Sequence, residues 1–285
     1  QLEQARRWIS YGLVLARETG DMRTRLEGEL LLAMIKRKAG RHLEAEYCLA
    51  VIRHLTETHC GNRELRREIL LEEARNLTYR AKPEEALARI NEYRRLAIGP
   101  ARIHLEADAD LLEARNLALL GKTREASLLL EASAGEDGTR HSLPAARRLL
   151  LIARIHLDSG RIPEAERAVR ILLRDRVFLS PYKLAKLRIL QSEISLARGN
   201  EAETGVYANA ALRLAGRHYF PHLAARACQL KSCCLSLRGN HGQAQAFAGR
   251  ARALAALSDR PEQELPAFPT GSVTATASEI GRAHV

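Results

Sequence analysis

One short motif recurs at near-constant spacing, and it limits what this chain can fold into more than any other feature. It reads Gly40-Arg41-His42-Leu43-Glu44-Ala45, then Ala81-Lys82-Pro83-Glu84-Glu85-Ala86. Gly121-Lys122-Thr123-Arg124-Glu125-Ala126 and Gly160-Arg161-Ile162-Pro163-Glu164-Ala165 follow. Gly199-Asn200-Glu201-Ala202-Glu203-Thr204 and Gly239-Asn240-His241-Gly242-Gln243-Ala244 complete the set. Successive turn residues lie 41, 40, 39, 39 and 40 positions apart. Self-similarity at a fixed period of this size marks a repeat architecture, in which each unit buries its apolar face only against its neighbours.

Each recurring feature has a mechanical reason. Glycine in five of six copies suits the left-handed residue that ends a helix. Pro83 and Pro163 fall in the first turn of the next helix, where a missing N–H costs little. Glu44, Glu85, Glu125 and Glu164 favour the positive end of that helix. Small residues recur five positions after the turn (Ala45, Ala86, Ala126, Ala165, Thr204, Ala244) and seven before it (Ala33, Ala74, Ala114, Ala153, Ser192, Ser232). Two small residues on facing helices let the pair approach closely. Nine after the turn, Leu49, Ile90, Leu130, Val169, Ala208 and Ala248 are apolar and suit the core.

The unit is therefore helix, tight turn, helix. First helices are expected over about 22–39, 62–79, 100–120, 143–159, 180–198 and 219–238. Second helices are expected over about 41–58, 82–97, 122–134, 161–175, 200–214 and 240–257. A leading helix spans 2–18 and ends at Gly20, and an internal loop runs around Ala134–Arg140. Composition agrees: aromatics are 4%, too few for a β-sandwich or barrel, while Ala, Leu, Arg and Glu dominate.

These residues resemble the tetratricopeptide repeat family, over about residues 1–257. The turn residue with a small side chain five positions on, and another seven positions before, is that family's pattern. The resemblance implies an all-α, right-handed α-solenoid of stacked antiparallel helix hairpins, with first helices lining a concave groove. The period of about 40 exceeds the family's usual 34, and the family's early aromatic is mostly missing. Long-period versions resemble the sensor solenoids of large bacterial regulators of the maltose-regulon activator type. HEAT-like repeats share the period and are the structural alternative. The family's carboxylate-clamp pattern is not matched, because its Lys position holds Leu30, Leu71, Leu111 and Leu150.

The organisation expected is a repeat domain over 1–258, made of a leading helix and six hairpins, then a linker over 259–279. The last six residues, Ile280–Val285, match a translated sequencing adapter and are set apart from the fold. The chain starts inside a repeat and without Met, which suggests a fragment of a larger protein. Arg supplies 38 of 45 basic residues, as GC-rich and plausibly bacterial coding would. No signal peptide or 18-residue apolar run occurs, so the expectation is cytoplasmic, with no membrane partner.

No catalytic or cofactor motif stands out. HExxH, GxSxG, GxGxxG and a phosphate-binding Gly-Lys loop are all absent. Cys48, Cys60, Cys228, Cys233 and Cys234 are odd in number and form no CxxC, which argues against a disulfide framework. Cys233 and Cys234, adjacent on a helix, point about 100° apart, a poor metal-ligand arrangement. His59-Cys60 beside Gly61 reads as a loop pair without a role. The expectation is no enzyme, no cofactor and no metal.

Charge is uneven. Residues 1–138 are net neutral, 139–260 carry a net +13 and 261–285 a net −2, which gives the chain's +11. Six residues before the turn lie Met34, Arg75, Arg115, Arg154, Glu193 and Cys233. Thirteen before it lie Glu27, Glu68, Asp108, Arg147, Lys186 and Arg226, a stripe that changes sign midway. Arg75-Asn76 and Arg115-Asn116 sit in one repeated string, Glu-Ala-Arg-Asn-Leu. The candidate groove residues are therefore Arg75, Asn76, Arg115, Asn116, Arg154, Arg147, Lys186 and Arg226. An unpaired arginine ladder would take an acidic protein or peptide. The competing reading is that these arginines pair with acids of neighbouring repeats and only hold the stack together. Three functions follow: a protein-binding or sensor scaffold of a regulatory protein, preferred; a nucleic-acid-binding solenoid using the basic half 139–260; or an accessory region of an enzyme.

Overall fold

The computed structural model describes residues 2–59, 62–96, 103–132, 143–174 and 179–258. Cys60, the loop Ala134–Arg140, the linker 259–279 and the segment 280–285 lie outside the described residues. Thirteen α-helices and no strand occur among the described residues. In order they are α1 (Leu2–Glu18), α2 (Met22–Lys38), α3 (His42–His59), α4 (Arg63–Tyr79) and α5 (Pro83–Arg95). Next come α6 (Ile103–Leu119), α7 (Thr123–Ala132), α8 (Leu143–Asp158) and α9 (Ile162–Arg174). The last are α10 (Pro181–Ala197), α11 (Glu201–Arg217), α12 (Pro221–Leu237) and α13 (His241–Ala255). The leading helix and six hairpins are thus present, with α11 extending three residues beyond its expected end.

The turns close as their residues dictate. Gly40, Gly121, Gly160, Gly199 and Gly239 have φ between 72° and 85°, and Ala81 takes the same role at φ 54°. At each turn, the amide of the following residue reaches back to a carbonyl of the last helical turn, as Arg41 does to Lys36 at 2.9 Å. Asn62, Ser180, Asn200 and Asn240 cap α4, α10, α11 and α13 by accepting a backbone N–H.

The two small positions meet at the hairpin waist. Ala45, Ala86, Ala126, Ala165 and Thr204 are fully buried, as are Ala74, Ala114, Ala153 and Ser192 opposite them. Where serine replaces alanine, its hydroxyl finds the facing backbone: Ser192 donates to the Thr204 carbonyl at 2.9 Å, and Ser232 to the Ala244 carbonyl at 2.8 Å. A buried hydroxyl needs such a partner. The core then runs as successive clusters between hairpins, such as Leu70, Leu71, Ile90, Tyr93 and Leu112.

Each helix packs on the next, and first helices also pack on first helices: α2 on α4, α4 on α6, α6 on α8, α8 on α10 and α10 on α12. Second helices show no comparable contact with one another among the described residues. This asymmetry curls the α-solenoid with its first helices inside. The curl is tight enough for distant repeats to touch. A Cβ on Gly40 would lie 2.7 Å from the Cβ of Ser258 and 3.1 Å from Nδ1 of His222. Gly40 is therefore held to glycine by its positive φ and by the close approach of the sixth repeat.

Candidate functional site

The inner face carries two ion-pair networks that stitch repeats together. In the first, both Nε and Nη2 of Arg37 donate to Glu72, at 3.0 and 2.9 Å. Glu72 also accepts from Arg75. Arg75 reaches Asp108 at 2.6 Å, and Asp108 accepts from Arg147 of the fourth repeat. In the second, Glu193 accepts from Arg154 on one side and from Arg226, at 2.7 and 2.8 Å, on the other. Arg154 also meets Asp158 at 3.1 Å. Burial works against the charge of Glu72, yet Arg37 and Arg75 hold its carboxyl down at about 2. Glu193 is likewise lowered by Arg154 and Arg226, against its burial.

This corrects the expectation of a free arginine ladder. Arg75 and Arg154 are paired to carboxylates, as are Arg147 and Arg226 from the second stripe. Among the acids on these helices, Glu72 serves Arg37 and Arg75, Glu73 serves Arg53 and Arg89, and Asp110 and Glu113 serve Arg94. Asn76 and Asn116 are not groove residues either. Asn76 exchanges hydrogen bonds with His42, and Asn116 donates to Thr78 and to the Leu112 carbonyl, both fully buried between helices. One residue beyond each arginine, the side chain turns about 100° around the helix and into the stack.

Two of these pairs share one spacing. The residue six before one turn meets the residue thirteen before the next: Arg75 with Asp108, and Glu193 with Arg226. At the third and fourth junctions the same positions hold Arg115 with Arg147, then Arg154 with Lys186, all basic. Charge there cannot cancel along the stripe. Arg115 lies over the Tyr79 ring instead, 4.5 Å from its centroid, and has no carboxylate partner among the described residues. Lys186 donates to Tyr79 Oη at 2.6 Å and lies 4.8 Å from the same ring. Arg37 lies 5.6 Å from that centroid.

Tyr79 was not foreseen from the sequence. It sits two residues before its turn, buried, stacked on His42 at 5.5 Å and 3.3 Å by hydroxyl from Tyr182 of the fifth repeat. Burial raises its phenol, but Lys186, Arg115 and Arg37 together hold it well below the usual range. Beside it, Lys38 and Lys183 lack any carboxylate at ion-pair distance among the described residues. Burial lowers Lys38, and Arg37 adds to this. Burial, then Arg147, push Lys183 down to about 8; Asp108 opposes, and Lys38 and Lys186 contribute. Lys38, Arg147, Lys183 and Lys186 are half-buried cations on this face; Asp108, shared with Arg75, pairs with Arg147, and the Glu72 charge acts on Lys38. The arrangement can bind and orient an anion.

No group of three or more His, Cys, Asp or Glu residues able to hold a metal occurs among the described residues. Cys48, Cys228, Cys233 and Cys234 are free thiols, and His59 ends α3 next to the undescribed Cys60. No described helix is long and apolar enough to cross a membrane.

Fold and site together define a helical-repeat protein with a cationic inner face. Among solved structures, the chain is similar to the crystal structure of BtubC (BKLC) from P. vanneervenii. Identity is 16%, with 90% of this chain and 91% of that chain covered, at a TM-score of 0.48. No family model matches the sequence, and no curated protein matches it.

Proposed function

We propose that this chain is a tetratricopeptide-like binding or sensor scaffold that holds an acidic segment of a protein partner on its inner face and performs no chemistry itself. One observation carries the reading. Lys38, Arg147, Lys183 and Lys186, from the first, fourth and fifth repeats, act on one another's charge where the curled first helices meet, with Asp108 and Glu72 opposing them. Electrostatic self-repulsion of this kind is relieved by an anionic ligand, and concave placement concentrates the field.

A titration of the chain with decaglutamate, monitored by calorimetry, tests it. Binding should occur at low salt and drop in the Lys38→Ala/Lys183→Ala double variant while the melting temperature holds. Equal binding by wild type and variant would remove the inner face from the reading. The basic half 139–260 keeps a nucleic-acid reading open to the same assay. A single-stranded oligonucleotide that outcompetes decaglutamate, with a steep salt dependence, would favour it.

A further inference from the structure

Away from the inner face, beside the turns, one junction between hairpins differs from the others. Arg80 pairs with Glu46 between the first two hairpins, and Arg198 with Glu166 between the fourth and fifth. Each pair joins the residue just before a turn to the residue six after the preceding turn. Arg238, also just before its turn, meets Glu201 instead. Between the second and third hairpins the same two positions hold Leu120 and Leu87, and between the third and fourth they hold Ser159 and Ser127. Two serines are too short to fill the space that an arginine and a glutamate fill elsewhere. A cleft of about 360 Å³ remains there, lined by Thr123, Arg124, Ser127, Ser159 and Arg161.

The lining has one sign of charge. Arg124 of α7 and Arg161, just before α9, have no carboxylate at ion-pair distance among the described residues. No acid lines the cleft, Glu164 of α9 included; Glu125 turns to Lys122, Asp158 to Arg154 and Glu166 to Arg198. Ser159 Oγ donates to the Ile155 carbonyl at 2.7 Å. The Thr123 and Ser127 hydroxyls meet no acceptor among the described residues. Two guanidiniums and two hydroxyls thus surround one small space as donors without an acceptor. We propose that this cleft binds a phosphate dianion, free or as the end group of a small monoester. A phosphoryl group carries nearly two negative charges and three acceptor oxygens at neutral pH, which matches the two guanidinium charges. Each planar guanidinium presents parallel N–H groups suited to two of those oxygens.

Calorimetric titration of the whole chain with inorganic phosphate, phenyl phosphate and acetate, at constant ionic strength, tests this. Both phosphates should bind and acetate should not compete. Arg124→Gln and Arg161→Gln should each weaken phosphate by at least about tenfold, the loss of one charge-assisted hydrogen bond. Ser127→Glu/Ser159→Arg writes the ion pair of the first and fourth junctions into the third. It should fill the cleft and abolish phosphate binding while a thermal melt shows the fold intact. The glutamine variants, both at exposed positions, test the same point without repacking the junction. Tighter binding of phenyl phosphate would support the cleft and assign it to the monoester; tighter binding of inorganic phosphate would support it and assign the free ion. Wild type that binds neither phosphate would overturn the proposal. So would phosphate binding that survives the filled cleft or both glutamine changes, or acetate that competes as well as phosphate does. Decaglutamate binding should be the same in the filled variant as in wild type, so this cleft and the inner face fail separately.

Discussion

Lys186 Nζ lies 2.6 Å from Tyr79 Oη, a contact between residues 107 positions apart. It joins the fifth repeat to the second across the inside of the curl. Arg115 from the third repeat and Arg37 from the first lie on the same ring. Tyr79 is thus the point at which four repeats meet.

Tyr79→Phe keeps the ring and removes the hydroxyl. The hydrogen bond to a charged lysine is worth about 1.5–3 kcal/mol, so urea unfolding should show a loss of that order. Tyr79→Leu should cost more, because the stacked cations and His42 lose the ring as well. Equal stability of the Phe variant and wild type would show that the contact across the curl contributes nothing.

Glu193 is buried between Arg154 and Arg226. Glu193→Gln removes the carboxylate that Arg154 and the buried Arg226 share, and leaves Arg154 with Asp158. Removing one partner of a buried ion pair costs about 3–5 kcal/mol. The melting temperature should fall clearly, and decaglutamate binding should not weaken.

The arginines of the expected ladder should separate by role. Arg75→Ala breaks a bridge between the second and third repeats and should lower the melting temperature. Arg115→Ala breaks no ion pair and loses its contact with Tyr79, so its stability cost should be smaller, about 1 kcal/mol. Paired melts of the two variants check the ordering.

Acid should destabilise the fold through Glu72. Its folded pKa of about 2 lies below the ordinary 4.5. Its stabilisation is complete above pH 4.5 and is lost as pH falls toward 2, on the order of 3 kcal/mol in all. Glu193, also lowered, acts in the same direction, while Glu73 and Asp158, both raised, act oppositely. The difference between wild type and Glu72→Gln isolates the contribution. That difference should shrink between pH 5 and 2.5 in denaturant melts.

Binding should weaken in alkali. Lys183 sits at about 8, so it loses its charge as pH rises from 7 to 9. Lys38 and Tyr79, both lowered, change the local charge in the same direction. Affinity for decaglutamate should fall over this range, and Lys183→Ala should flatten the profile. A flat wild-type profile would place the anion elsewhere.

The sequence alone determined the secondary structure and the hairpin. Glycines at a 40-residue period, small residues five after and seven before each turn, and apolar residues nine after it act over one or two helical turns. Local sterics decide them, so they are legible in a string of letters. The partners of the charged residues were not. Arg75 and Asp108 lie 33 positions apart, and Tyr79 and Lys186 lie 107 apart. Their meeting depends on how much each hairpin rotates relative to the last, which sums small packing angles over several repeats. The charge asymmetry along the chain does not by itself place these cations: curling brings Arg37 of the neutral half to the same Tyr79 ring as Lys186 of the basic half. Only the tertiary structure could turn a linear stripe into a convergent site, because long-range charge proximity is set by the curvature of the whole stack.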